Sequence, residues 1–133
     1  SPVQIAVGNA VPIRQISDSY DESETVLQSL LTSGRTFAEF SDLTLELILS
    51  SAPARIRSAY LSKTVSSLSD KDLDLLNTYF KCNMSLKDTC EKAFLHKNTL
   101  QYRLNQIYHR CGYNPRSFQD AVVLYMALKL SGR

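Results

Sequence analysis

Apolar residues recur every three or four positions along most of the second half of the chain, which is the spacing of amphipathic helices. The pattern predicts four helices, over residues 70–82, 86–94, 97–111 and 118–130. Ser69 and Ser85 stand where N-caps are expected, and Gly112 stands where a left-handed C-cap is expected. The residues expected in the core include Leu73, Leu76, Tyr79, Phe80, Tyr125 and Met126.

The first part of the chain follows a different pattern. Residues 3–9 and 35–40 read as two short strands, with a helix over residues 16–31 between them. Two further helices are predicted at residues 43–50 and 53–65. A strand–helix–strand unit of this size cannot cover both faces of a sheet, so it predicts the end of a larger α/β domain. The expected organisation is therefore an α/β segment at residues 1–42, linking helices at residues 43–68 and a helical domain at residues 69–133.

Charge is distributed unequally along the chain, although the net charge is only +2. Residues 1–70 contain five basic and eight acidic residues, whereas residues 71–133 contain ten basic and five acidic ones. Between Glu91 and Asp120 there are five basic residues and no acid. This distribution favours an anionic partner for the second half, and a basic solvated helix face is the ordinary alternative.

Composition sets limits on the function class. The three cysteines, Cys82, Cys90 and Cys111, fit no zinc or disulfide spacing and are expected as free thiols in the cytoplasm. No run approaches the roughly 20 apolar residues of a membrane span. The sequence contains no recognisable catalytic set and no glycine-rich phosphate loop. It therefore predicts a protein that is not an enzyme and has no cofactor, no metal site and no membrane partner.

The helices predicted at residues 86–94 and 97–111 have the spacing of a helix-turn-helix. Cys90 is a small residue at the position where the second helix crosses the first, and Phe94 stands where the first helix is expected to end. Leu95, Leu100 and Leu104 recur on one side and are expected to hold the second helix against the first. Its other side is then free to lie in the major groove of DNA.

The polar residues at the start of the second helix suit contact with DNA. Lys donates to guanine, Asn and Gln pair with adenine, and Thr, Tyr and Arg suit phosphate oxygens. For His96 two roles stay open, contact with DNA or capping of the helix. The predicted DNA-binding residues are His96, Lys97, Asn98, Thr99, Gln101, Tyr102, Arg103 and Asn105.

Residues 76–130 resemble the C-terminal helix-turn-helix domain of the PucR/CdaR family of bacterial transcription regulators. The resemblance rests on Asn83, on Thr89 and Cys90, on HKNTLQYRL at residues 96–104, and on LYMAL at residues 124–128. Residues 1–42 resemble the end of the GGDEF-like domain that precedes the DNA-binding domain in this family, in a degenerate form without cyclase activity.

Two positions depart from the family pattern within the second helix. Arginine is common in the family where Lys97 and Gln101 stand in this chain. Lys97 keeps the positive charge without the bidentate fork of arginine, and Gln101 removes one positive charge.

The resemblance implies a mostly α fold: a C-terminal helical bundle with a Fis-like helix-turn-helix, preceded by a short β-α-β remnant of an α/β domain. It implies sequence-specific binding to double-stranded DNA, with a recognition helix at about residues 97–111 and a small-molecule effector bound upstream of this segment. Because a single helix-turn-helix binds weakly, a homodimer or higher oligomer on paired half-sites is expected. The alternative is a helical protein–protein interaction module with a basic face.

Overall fold

The computed structural model describes residues 5–8, 21–27, 37–39 and 44–133. The chain divides into two compact units. The first comprises Ser1–Arg57 and Lys129–Arg133, and the second comprises Ser58–Leu128.

Two short parallel strands and a helix are the described elements at the start of the first unit. Strand β1 (Ile5–Val7) pairs with β2 (Phe37–Glu39), with Ile5 opposite Phe37 and Val7 opposite Glu39. Helix α1, whose described residues are 21–27, lies between them in sequence. Parallel strands require a crossover connection of this kind, so the predicted β-α-β order is confirmed. Residues 3–4, 9, 16–20, 28–31, 35–36, 40 and 43 of the predicted elements lie outside the described residues.

The remaining helices follow the predicted order closely. They are α2 (Leu45–Leu49), α3 (Ala54–Thr64), α4 (Asp70–Lys81), α5 (Leu86–Ala93), α6 (Lys97–Cys111) and α7 (Phe118–Leu130). The bounds of α6 and α7 match the prediction, and those of α3, α4 and α5 differ from it by at most one residue at either end. In the part of the chain that the structure describes, no helix has the length and apolar character needed to cross a membrane.

Side-chain caps explain why the helices begin where they do. The Ser69 hydroxyl accepts a hydrogen bond from the Asp72 backbone N–H, and the Asp72 carboxylate accepts one from the Ser69 backbone N–H, which completes a capping box. Ser85 accepts from the Asp88 backbone N–H at the start of α5. Gly112, with a φ of 82°, ends α6 in the left-handed conformation, as predicted.

The second unit has one apolar core, to which α4, α6 and α7 all contribute. Six large side chains in this core are at most 1% exposed: Leu76, Leu100, Leu104, Ile107, Leu124 and Leu128. Val65 and Leu68, in the connection between α3 and α4, belong to the same core. Helix α6 is therefore held by its buried side chains against a packed bundle.

Two expectations about the core require correction. Leu75, which periodicity did not single out, is buried in α4, whereas Leu73 and Phe80 are only half-buried. The expectation that Tyr125 lies in the core is wrong, because 37% of this residue is exposed. The buried face of α7 consists of Ala121, Leu124, Ala127 and Leu128. Tyr125 lies beside this face, and its ring is roughly perpendicular to that of the half-buried Phe80, with ring centroids 6.0 Å apart.

Candidate nucleic-acid interface

The turn between α5 and α6 begins with a residue in the left-handed conformation. Phe94 adopts a φ of 54° and a ψ of 44°, and its backbone N–H donates to the Cys90 carbonyl. The Leu95 N–H also donates to the Cys90 carbonyl, at 3.1 Å. These bonds satisfy the end of α5 and redirect the chain within three residues, so that α6 begins at Lys97. The predicted break between the two helices is confirmed.

The small residue that is fully buried in α5 is Thr89, which the sequence analysis did not assign to packing. Its hydroxyl donates to the Ser85 carbonyl at 2.6 Å, so the polar group is satisfied inside the helix. Cys90, the predicted crossing residue, is half-buried and packs against the edge of the core. Two adjacent small residues of α5 therefore face the interior of the second unit.

Helix α6 separates its side chains into a buried face and an exposed face. Leu100, Leu104 and Ile107 have no exposed surface. Among the predicted DNA-binding residues, Gln101 and Arg103 are half-buried. The others are exposed: His96, Lys97, Asn98, Thr99, Tyr102 and Asn105. The predicted surface thus lies along the first three turns of α6, and α6 contains no acidic residue.

His96 is the N-cap of α6. Its Nδ1 accepts a hydrogen bond from the Asn98 backbone N–H at 3.2 Å. A neutral imidazole that accepts through Nδ1 carries its proton on Nε2. His96 can therefore cap the helix and still offer a donor to an acceptor outside the protein, so the two roles predicted for it are compatible.

Arg103 is bonded within the protein. Its guanidinium donates to the backbone carbonyl of Lys71, in the first turn of α4, at 3.2 Å. Since arginine has five N–H donors, this bond leaves further donors for a phosphate. The bond directs the guanidinium towards α4, which the spacing of residues in α6 could not indicate.

Arg116 is a basic residue that the sequence analysis did not assign to the site. It lies in the connection between α6 and α7, and its guanidinium donates to the Asn105 side-chain oxygen on the exposed side of α6. The positive charge of Arg116 also acts on Tyr79 in α4: burial raises the pKa of Tyr79, and this charge partly offsets the rise. Membership in the acid-free stretch from Glu91 to Asp120 was the signal available in the sequence.

An ion pair joins α4 to the end of α6. The Arg110 guanidinium lies 2.8 Å from the Asp72 carboxylate, whose side chain is 7% exposed, whereas that of Arg110 is 48% exposed. Burial opposes ionisation of Asp72. Hydrogen bonds with Ser69 and the charge of Arg110 outweigh this effect, so the pKa of Asp72 is lowered. The pair therefore favours the charged carboxylate and helps to hold α6 in place.

The four helices from α4 to α7 lie in a region that is similar to a known family of domains. A family model of the PucR C-terminal helix-turn-helix domain matches residues 73–130, from the first half of α4 to the end of α7. Residues 73–130 are thus similar to a PucR-type helix-turn-helix domain. The matched range includes α5 and α6, the predicted helix-turn-helix pair, and the match agrees with the predicted DNA-binding function.

Known relatives extend the similarity beyond the PucR domain. The chain is 32% identical over 124 residues to the uncharacterized protein YsfB of Bacillus subtilis (strain 168). The aligned region covers 91% of this chain and 33% of that protein. It is 31% identical over 96 residues to the carbohydrate diacid regulator of Escherichia coli (strain K12), covering 68% of this chain and 25% of that regulator. The chain thus spans about a quarter to a third of the length of these relatives.

A solved structure has a similar fold. The regulator of polyketide synthase expression from Bifidobacterium adolescentis matches with a TM-score of 0.55 and 22% identity, over 85% of this chain and 51% of that chain. At this level of identity the similarity concerns the fold, and it agrees with the mainly helical architecture.

Proposed function

We propose that this chain binds duplex DNA sequence-specifically through α6, as part of a bacterial transcription regulator. The observation that carries the proposal is the exposed, acid-free polar face at the start of α6, on a helix whose opposite face is fully buried. A helix fixed in this way can enter a major groove without having to become ordered, which lowers the cost of binding.

Most side chains of the predicted surface have a role that suits their chemistry. Lys97 donates to guanine, and Asn98 and Gln101 pair with adenine edges. Thr99, Tyr102 and the remaining donors of Arg103 bond phosphate oxygens, and the His96 Nε2–H adds a donor at the edge of the site. Lys97 and Gln101, in place of two arginines, define the base preference of this helix within its family.

The assembly that we propose is a homodimer or higher oligomer. Two copies of α6 read half-sites separated by one or more turns of DNA, about 34–36 Å per turn. We assign residues 1–42 to the end of a degenerate GGDEF-like α/β domain, supported by the parallel pairing of β1 and β2. The effector-binding part is assigned to a region outside these residues, because the relatives are three to four times as long as the matched segment.

Salt dependence of binding tests the proposal. The protein is incubated with duplexes selected from a random pool, and its affinity is measured by gel shift at salt concentrations from about 50 to 200 mM. Counterion release predicts a steep linear fall of log K against log salt. If the folded protein bound no duplex at low salt, the proposal would be wrong, and an interaction module with a basic face would replace it.

A single substitution tests the placement of the recognition helix. We expect Lys97→Ala to cost about 1–3 kcal/mol of specific binding and to relax the preference at one base pair. Lys63→Ala, which removes an exposed charge in the last turn of α3, is the control and should leave the base preference unchanged. Equal binding by wild type and Lys97→Ala, to selected and unselected sequences alike, would show that another element reads the bases.

A further inference from the structure

The connection between α6 and α7 brings an arginine to the exposed side of the recognition helix. Arg116 is exposed, and its guanidinium is bonded to the Asn105 side-chain oxygen. Asn105 lies eight residues after Lys97, which corresponds to about 12 Å along the axis of an α-helix. A recognition helix contacts base edges through its N-terminal residues, so a residue that far along the helix is placed nearer to the sugar-phosphate backbone. The groove walls are lined by phosphates.

The backbone around Arg116 is fixed by local bonds. The Asn114 side-chain oxygen accepts from the Arg116 backbone N–H at 3.1 Å, and the Asn114 backbone N–H donates to the Asp120 carboxylate at 2.9 Å. Pro115 is fully buried. Because the connection is anchored at three successive residues, the cost of ordering Arg116 against a ligand is reduced.

The bond between Asn105 and Arg116 also restricts what Asn105 can read. Arginine has donors and no acceptor, so Asn105 must present its side-chain oxygen to the guanidinium. Bidentate recognition of adenine by asparagine requires both the oxygen and the amide nitrogen. With its oxygen bonded to Arg116, Asn105 is suited to holding the arginine, and the other guanidinium donors are available to a phosphate.

We propose that Arg116 is a phosphate-binding residue of the DNA interface and that Asn105 is the residue that positions it. This assignment rests on the proposed function of α6, and it adds a contact from outside the helix-turn-helix. It also changes the predicted role of Asn105, which acts on DNA through Arg116.

The slope of log K against log salt tests the phosphate contact. One contact contributes about 0.9 to this slope, which corresponds to about eightfold in affinity between 1 M and 0.1 M salt. We expect Arg116→Ala to lose about one unit of slope and to weaken binding to selected and unselected duplexes by the same factor. Arg116→Lys retains the charge and should keep the slope, and the control Lys63→Ala should also keep it.

Two outcomes separate this inference from the proposed function. If wild type binds duplex DNA with a steep slope and Arg116→Ala, folded by circular dichroism, has the same slope and affinity, the phosphate contact is refuted and the role of α6 stands. If wild type itself binds no duplex, the proposed role of α6 is refuted, and the phosphate contact that rests on it is refuted as well.

A double-mutant cycle tests the positioning role. When two residues act as a unit, the second substitution costs little after the first. Asn105→Ala is expected to weaken binding less than Arg116→Ala does, and to have almost no further effect on a chain that already carries Arg116→Ala. Additive losses would refute the positioning role of Asn105.

Discussion

At the scale of single residues, several side chains of the proposed interface also make bonds within the protein. His96 accepts a hydrogen bond from the helix that it begins, and Arg103 donates to the backbone of α4. Such bonds fix the side chains before any partner arrives. A substitution at these positions therefore changes both the free energy of unfolding and the surface, and the two effects must be measured separately.

His96 allows this separation. His96→Ala removes the cap acceptor and is expected to lower the free energy of unfolding by about 1 kcal/mol, whereas His96→Asn retains an acceptor and should stay close to wild type. Both variants lose the Nε2 donor, so both are expected to bind DNA more weakly. Urea unfolding and gel shifts measure the two quantities. If His96→Asn bound DNA with wild-type affinity, His96 would act only as the helix cap.

At the scale of secondary-structure elements, a capping box and an ion pair share one carboxylate. Asp72 closes the first turn of α4 and pairs with Arg110 near the end of α6. Loss of the Asp72 carboxylate removes the ion pair and the bond from the Ser69 backbone N–H, which is one half of the capping box, whereas loss of Arg110 leaves the capping box intact. We therefore regard Asp72 as the residue that joins the start of α4 to α6.

The lowered pKa of Asp72 predicts a pH dependence of stability. A carboxyl whose pKa is lower in the folded state than in the unfolded state binds more protons when unfolded, so stability rises with pH through that window. The stabilisation is complete above the unfolded value of about 4 and is lost as the pH falls through the lowered folded pKa. Asp72→Asn should therefore flatten the acid limb of the unfolding free energy, with a loss of about 1–2 kcal/mol at neutral pH.

Urea unfolding at pH values from about 7 down to about 2 checks this dependence. Arg110→Ala is the matched control: it should lose at most about 1 kcal/mol, since the charge of Arg110 itself is about half exposed and is screened by water. An acid limb of equal steepness in wild type and Asp72→Asn would show that other carboxyls govern the dependence.

At the scale of the whole molecule, α6 depends on the core of the second unit. Its three buried residues lie in the same cluster as residues from α4, from α7 and from the connection after α3. Truncation of a buried leucine leaves a cavity in such a core, and insertion of a charge leaves that charge unpaired. The proposed DNA-binding face thus depends on buried residues on the opposite side of α6.

Leu100 and Tyr102 test this dependence as a pair on one helix. Leu100 is fully buried, so Leu100→Ala should lower the free energy of unfolding by about 2–5 kcal/mol, and Leu100→Asp should unfold the bundle. Tyr102, which is 62% exposed, should tolerate Ala without loss of stability and yet bind DNA more weakly. Thermal unfolding and gel shifts distinguish the two. A stable Leu100→Asp variant would contradict the observed packing.

The sequence by itself determined the helix bounds and the helix-turn-helix, because caps, glycine stops and apolar spacing act over a few residues. Ser69, Ser85 and Gly112 were predicted as caps on these grounds, and the structure confirms them. The sequence also indicated most of the residues that α6 exposes, since Leu100 and Leu104 define its buried side, although Gln101 and Arg103 are half-buried.

Only the tertiary structure decided which polar residues are bonded to one another. Arg116 meets Asn105, Arg103 meets Lys71 and Arg110 meets Asp72 across separations of 11, 32 and 38 residues. Such contacts depend on how whole helices pack, and helical spacing within one element carries no information about them. Tyr125 was misplaced for the same reason, because the apolar stripe of α7 is wide and only its neighbours determine which part of it is covered.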